Sequence, residues 1–278
     1  MFSEKYGYKE EKQILHETVS DTLRRRVWNQ FYLQDIQKEA LTRLPQALNG
    51  EPSIETIIAD KLGFKINTLS KTDNVQNQIE KYLIYDCEWY SVYDFIEIHL
   101  SVLDDEKRKI RIQQYNNLLE EEKAGYRVVN SMIAPITNKS EIEAIVQASN
   151  TEFASVNEHM QKALSLYADI KSPDYENSIK ESISAVESMC CIITGMTGSG
   201  ATLGKALKKL KDNGVHIHSA MESAFSSLYG YTSDENGIRH GGIDFTNAPA
   251  EDAKFMLVSC SAFVNYLIEK WSKINTLK

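Results

Sequence analysis

The sequence predicts an all-α protein of two helical domains with a small β-hairpin at their junction. Only five prolines and thirteen glycines occur in 278 residues, so few positions interrupt regular structure. Apolar residues recur at helical spacing through most of the chain, whereas the stretch over 125–136 is β-branched and aromatic with a turn in its middle. We therefore expect a helical domain over 1–124, a hairpin and connector over 125–149, and a helical bundle over 150–278.

Composition and charge exclude several classes of protein. Hydrophobic residues make up 42% of the chain and charged residues 25%, as in ordinary globular proteins. The formal net charge of −8 argues against coating nucleic acid through bulk positive charge, although a local basic groove remains possible. No window approaches the ~20 apolar residues of a membrane helix, and the first residues lack the apolar core of a signal peptide. We expect a cytoplasmic protein with no membrane partner.

The four cysteines support the same compartment. None forms a Cys-x-x-Cys pair, and two of them are adjacent within an apolar run: the four are Cys87, Cys190, Cys191 and Cys260. We expect reduced core residues.

The first domain divides into four predicted helical segments. Thr18–Ile36 carries apolar residues between charges, and Ser53 is placed to cap a short helix that stops at Gly63. Val75–Val102 is predicted as one long helix whose aromatic stripe belongs to the core rather than to a base-stacking surface. That stripe comprises Tyr82, Tyr85, Trp89, Tyr90, Tyr93 and Phe95. Asp104–Lys123 is charged nearly throughout and is predicted as a solvated helix.

The hairpin and the second domain follow. An Asn-Ser turn at Asn130 divides the hairpin, and Ser140 is placed to cap the next helix. The bundle is predicted to contain helices over 150–169, 175–194, 202–212, 219–229 and 249–273. The last of these is apolar almost all round, so we expect it to form the buried centre of the bundle.

A glycine-bracketed loop before the last helix is the most compact candidate site. It places Asp234, Asn236, Arg239 and His240 between Gly230 and Gly242. An arginine and a histidine held there could bind a phosphate and transfer a proton. The structural alternative is a turn in which the arginine ties down a helix end and the histidine caps a carbonyl.

Two further features are candidates for supporting roles. Glu187 lies at the edge of the apolar face of its helix and needs a partner, for which Arg239 is the first candidate and tyrosine or serine groups are the alternatives. A second feature is a short helix with a basic face formed by Lys205, Lys208 and Lys209. These lysines could receive RNA phosphates, or they could form a solvated surface.

The sequence favours neither a nucleotide cofactor nor a metal. Gly198–Lys205 resembles a phosphate-binding loop but has serine where the first glycine belongs and alanine after the lysine. His216 and His218 have no third ligand at suitable spacing. We expect no cofactor.

The second half resembles the HEPN superfamily, and the first half resembles the N-terminal domain of AbiJ-type abortive-infection proteins. The HEPN-like elements are Asn177–Glu187, Gly237–Gly241 and Phe263–Leu267 in the final helix. The AbiJ-like elements are Phe2–Tyr8 and Leu23–Asn29.

This resemblance implies antiphage defence by a metal-independent endoribonuclease that acts on RNA as a homodimer. In such proteins an arginine precedes a histidine by several residues at the start of the final helix, and two such motifs face each other across the dimer. It implies that His240 handles the proton of the ribose 2′-hydroxyl and that Arg239 stabilises charge on the phosphate.

The candidate motif departs from the family pattern. Arg239 and His240 are adjacent, and the positions five to seven before the histidine are Glu235, Asp234 and Ser233. The alternative function is therefore a non-catalytic HEPN-like sensor or interaction module that responds to a phage-derived trigger.

Overall fold

A computed structural model describes residues 14, 16–37, 52–64, 72–169, 171–198, 202–233 and 248–276. It confirms an all-α fold with one small hairpin. The chain divides into two compact units, the N-terminal unit Met1–Thr137 and the C-terminal unit Asn138–Lys278.

The N-terminal unit is built from five α-helices and the hairpin within the residues described. The helices are α1 (Asp21–Phe31), α2 (Ile54–Lys61), α3 (Thr72–Lys81), α4 (Trp89–Ser101) and α5 (Asp105–Glu121). Ser20 caps α1 and Asp104 caps α5, each by accepting a hydrogen bond from a main-chain N–H of the first turn. The core lies where α1, α4 and α5 meet, around the fully buried Phe31 and Phe95.

The described part of this unit contains two π-helices, and an arginine from another helix donates hydrogen bonds to the main chain of each or of the residue just after it. The first π-helix, Tyr32–Ile36, continues α1, and the main-chain oxygen of Gln34 within it accepts a hydrogen bond from Arg111 of α5 at 3.1 Å. The second π-helix, Tyr82–Asp86, continues α3. Arg24 of α1 donates to the main-chain oxygens of Leu83 and Cys87 at 3.1 and 2.9 Å, at and just beyond this second π-helix.

The hairpin pairs β1 (Arg127–Val129) with β2 (Met132–Ala134) in an antiparallel register. Asn130 and Ser131 both have positive φ, as a type I′ turn requires, so the predicted Asn-Ser turn is confirmed. Asn116 of α5 clamps the hairpin because its amide accepts from the main-chain nitrogen of Val128 and donates to its oxygen, at 2.7 and 2.9 Å.

The C-terminal unit is a helical bundle arranged around one central helix. Its helices are α6 (Lys139–Ala148), α7 (Ala154–Ala168), α8 (Tyr175–Thr194), α9 (Leu203–Lys209), α10 (Ser219–Ser233) and α11 (Ala250–Thr276), with a 3-10 turn over Leu210–Asn213. α8 packs against α7, α9, α10 and α11. The hydroxyl of the buried Ser178 donates to the oxygen of Ala163 at 2.8 Å, because a small side chain lets α7 and α8 approach closely.

Three predictions about the N-terminal unit were wrong. Val75–Val102 is not one helix, because the second π-helix and the extended Cys87 and Glu88 separate α3 from α4. The aromatic stripe is only partly core, since Tyr85 is 77% exposed and Tyr90 is 50% exposed. Asp104–Lys123 is not solvated throughout, because one face of α5 is buried.

Two predictions about the C-terminal unit also need correction. Asn138, not Ser140, caps α6, because its side chain accepts from the main-chain nitrogens of the first turn. α8 rather than α11 occupies the centre of the bundle: α11 packs on α6, α7 and α8, but its outer face exposes Phe255 by 58%.

Candidate functional site

The predicted catalytic loop falls between two helices of the C-terminal unit. Asp234, Asn236, Arg239 and His240 lie outside the described residues, which end at Ser233 in α10 and resume at position 248. Their roles therefore stay predictions.

Glu187 has a partner that the sequence did not indicate. Its Oε2 accepts a hydrogen bond from the main-chain nitrogen of Leu203 at 3.1 Å. Leu203 is the first residue of α9, where unpaired N–H groups and the helix dipole favour a carboxylate. Glu187 therefore fixes the start of α9 on α8.

The basic face of α9 is exposed as a group. Leu203, Ala206 and Leu207 turn inward, and Lys205, Lys208 and Lys209 point to solvent. No carboxylate among the described residues forms an ion pair with any of these three lysines. Because Glu187 anchors the other end of the helix, the three ammonium groups are carried on a short, fixed element.

Metal binding receives no support from the part of the chain that the structure describes. No group of three or more His, Cys, Asp or Glu side chains there could hold an ion. Nδ1 of His218 instead accepts from the main-chain nitrogen of Ala220 at 3.2 Å, at the start of α10. Cys87, Cys190 and Cys260 are buried free thiols, and burial raises their pKa.

One carboxylate, that of Glu181, links α8 to two side chains of α7. Glu181 accepts from His159 Nδ1 at 2.7 Å and pairs with the ammonium of Lys162 at 2.5 Å. Partial burial opposes ionisation of this carboxylate, but the hydrogen bonds from Lys162 and His159 outweigh it and hold the pKa of Glu181 below its ordinary value. Its partners occupy both oxygens, so we assign it a structural role.

The N-terminal unit contains a buried charged network that the sequence analysis missed. Asp35, in the first π-helix, accepts two hydrogen bonds from Arg111 at 2.8 and 2.9 Å. Nε2 of the fully buried His99 lies 3.2 Å from Asp35, and its Nδ1 lies 2.7 Å from the hydroxyl of Tyr115. Asp35 is 4% exposed and Arg111 6%, so both charges are removed from water.

The network sets the ionisation of its members. Burial disfavours the charge of Asp35, but the adjacent His99 imidazole and the hydrogen bonds from Arg111 outweigh it and lower the pKa of Asp35 to about 2. Burial lowers the pKa of His99, so the imidazole stays neutral at pH 7. Burial also raises the pKa of Tyr115. A buried bidentate ion pair of this kind is costly unless every partner is in place.

A sequence signal for this network exists in hindsight. Asp35 lies four residues after Phe31, and Arg111 lies four before Tyr115, so each charge occupies the buried face of its own helix. A positive and a negative residue that each lie on the apolar face of a predicted helix indicate a buried ion pair.

None of the helices in the described ranges is both long and apolar enough to cross a membrane. Comparisons with curated proteins and with solved structures give no match. A comparison with protein families matches residues 1–151 to AbiJ N-terminal domain 4, which covers the whole N-terminal unit and α6. Because this match spans more than half of the chain, the protein belongs to the AbiJ N-terminal domain 4 family.

Proposed function

We propose that the protein acts in abortive-infection defence against phage, with a HEPN-like endoribonuclease domain over 150–278 that cleaves RNA as a homodimer. Membership of the AbiJ N-terminal domain 4 family supports the defence role. In this proposal His240 moves the proton of the ribose 2′-hydroxyl, Arg239 stabilises charge on the phosphate, and no metal or cofactor takes part. Asp234, Asn236 and Glu187 support the loop.

The observation that carries the RNA proposal is the exposed lysine face of α9. The chain as a whole is acidic, with a formal charge of −8, so it repels RNA on average. Three lysines on one fixed helix, unpaired within the described residues, give a local surface where phosphates can bind.

Replacement of the candidate base tests catalysis. His240→Asn keeps much of the shape and hydrogen bonding of the side chain but cannot shuttle a proton near neutral pH. RNA cleavage and phage protection should both be lost, while the thermal melt and oligomeric state stay unchanged. His216→Asn is the matched control, because His216 is an exposed histidine of the same unit.

Arg239→Ala separates two roles of the arginine. Loss of cleavage with an unchanged melt indicates a phosphate contact, whereas a lowered melting temperature indicates a structural pair. Protein that never cleaves RNA, together with phage protection that survives His240→Asn, would contradict the nuclease proposal.

Charge reversal tests the lysine face separately. Lys205→Glu, Lys208→Glu and Lys209→Glu together should weaken RNA binding and reduce the slope of log K against log salt by about 2, as expected for three lost phosphate contacts on single-stranded RNA. The control is the same reversal at three exposed lysines of the N-terminal unit: Lys61, Lys107 and Lys109. Equal effects of the two triple variants would show that net charge, and not this face, controls binding.

Exposed apolar side chains support a homodimer through the C-terminal unit. Ile192, Met221 and Phe255 are 37%, 39% and 58% exposed, on α8, α10 and α11 respectively. A symmetric interface would bury apolar surface of this kind. Phe255→Glu should shift the mass measured by light scattering from dimer to monomer, whereas Tyr85→Glu, at an exposed aromatic residue of the N-terminal unit, should not.

The second candidate function is a non-catalytic sensor that binds a phage-derived trigger. The adjacency of Arg239 and His240, preceded by two acids, favours it because acids near the motif repel phosphate. The sensor predicts that phage protection depends on the fold and dimer of the C-terminal unit but not on His240.

A further inference from the structure

A polar groove runs along one side of the N-terminal unit, between α1 with the first π-helix and α5. Its volume is about 320 Å³. Side-chain amides dominate the lining, and Leu33, 49% exposed, adds an apolar edge. The amides are those of Asn29, Gln30, Gln34, Gln114 and Asn117.

Two of these amides are held in one orientation by the buried network beneath them. Arg111, fixed by Asp35, donates from Nη1 to Oε1 of Gln114 at 3.0 Å. Nε2 of Gln30 donates to the same oxygen at 2.7 Å. A guanidinium can only donate, so the amide of Gln114 must present its oxygen to Arg111.

This arrangement leaves a donor and an acceptor available for a ligand. The Nε2 group of Gln114 and the Oε1 atom of Gln30 have no hydrogen-bond partner among the described residues. They form an N–H donor beside a carbonyl acceptor. Because the side chain of Gln114 is already held in place, a ligand would not have to meet the entropic cost of ordering it. The exposed Asn29 and Asn117 add further amides at the rim.

The charge of the groove excludes a phosphate ligand. Among the described residues that line it, Arg26 is the one cation, and its guanidinium is engaged by Glu121 and by Glu122, the latter at 2.7 Å. The lining arginine is therefore already paired with the lining carboxylate of Glu121, so the groove favours neutral or basic ligands. None of the described residues that line the groove is aromatic, and single-stranded nucleic acid is usually bound by stacking on aromatic rings.

We propose that this groove binds an extended, neutral or basic peptide segment of a partner protein through its main chain. Gln114 donates to a carbonyl oxygen of the peptide, Gln30 accepts from an N–H group, and Leu33 contacts a neighbouring apolar side chain. Glu121, whose side chain is 61% exposed, receives a basic residue at the rim. The proposal concerns the N-terminal unit alone and does not depend on the nuclease.

Gln114→Glu tests the donor without disturbing the network. A glutamate oxygen still accepts from Arg111 and Gln30, but the N–H donor is replaced by an oxygen that repels a peptide carbonyl. Gln113→Glu is the matched control, because this neighbouring residue is exposed, does not line the groove and undergoes the same change of charge. Thermal melts of both variants should match the wild type.

The probe is a phage-displayed library of linear twelve-residue peptides, selected on the full wild-type chain. A synthetic copy of an enriched peptide should bind the wild type and Gln113→Glu equally by fluorescence anisotropy. Its Kd should rise at least about tenfold for Gln114→Glu. If that variant melts early, Asn29→Ala combined with Asn117→Ala serves instead, since both residues are exposed.

Three results would overturn the proposal. The first is that the library yields no peptide that distinguishes wild type from the groove variants. The second is that the enriched peptide binds all variants equally. The third is that the groove variants weaken the binding of a fluorescein-labelled RNA oligonucleotide but not that of any peptide.

Discussion

Asp35→Asn should destabilise the N-terminal unit far more than an ordinary polar substitution. The pKa of Asp35 is about 2 against an ordinary 3.8, which corresponds to about 2 kcal/mol of preference for the ionised, paired form. The variant also leaves Arg111, 6% exposed, as a buried charge without its carboxylate. Breaking a buried pair in this way costs about 3–5 kcal/mol of unfolding free energy. Because the carbonyl oxygen of asparagine can still accept one hydrogen bond from Arg111, we expect a loss of about 3 kcal/mol.

The assay is urea unfolding followed by tryptophan fluorescence. Trp28 and Trp89 report on the N-terminal unit, so a Trp271→Phe background removes the signal of the C-terminal unit. Asp105→Asn is the control, because its pair with Arg108 is exposed and should contribute less than about 1 kcal/mol. A loss for Asp35→Asn no larger than that for Asp105→Asn would refute the argument that burial makes this pair important.

The remaining predictions concern pH and two main-chain clamps. Folding lowers the pKa values of both Asp35 and His99, so the stability that they contribute is lost as the solution is acidified. The contribution of the histidine declines as pH drops below about 6.5, and that of the aspartate declines between about pH 4 and pH 2. His99→Gln should flatten the upper part of this profile in thermal melts, and an unchanged slope above pH 5 would contradict the assignment. Asn116→Ala, which removes both hydrogen bonds to the hairpin, should cost about 1–3 kcal/mol in urea unfolding, whereas Asn117→Ala should stay within about 0.5 kcal/mol. Arg24→Ala removes the hydrogen bonds that Nη1 donates to the main-chain oxygens of Leu83 and Cys87, and it should speed amide exchange in the second π-helix, an effect that the exposed Arg25→Ala should not share.

Local signals sufficed for much of the fold. The Asn130-Ser131 turn was predictable because two positive φ angles suit those residues between β-branched runs. The predicted side-chain caps were wrong: Ser53 precedes α2 but makes no cap hydrogen bond to its main chain, and Asn138 rather than Ser140 caps α6.

Features that depend on distant residues were not predictable in the same way. The second π-helix follows a continuous helical pattern in sequence, and its carbonyls are satisfied by Arg24, about sixty positions earlier. The many charged residues of α5 predicted a solvated helix, but a charged residue can be buried when an opposite charge pairs with it. Arg111 pairs with Asp35, which lies 76 positions away in the sequence. The candidate site depends on such contacts too: the partner of Glu187 is a main-chain nitrogen, which no residue pattern displays.

The arginines that hold the π-helices change how positive charge in this chain should be counted. Arg24, Arg25 and Arg26 form a run that a sequence scan for nucleic-acid contacts would select. Arg24 donates to carbonyl oxygens and Arg26 pairs with two carboxylates. Arg25 is exposed and is the one member of the run that makes no such contact with the residues that the structure describes. Two members of this basic triplet therefore hold the N-terminal unit together from within, and the triplet marks internal architecture rather than an RNA surface.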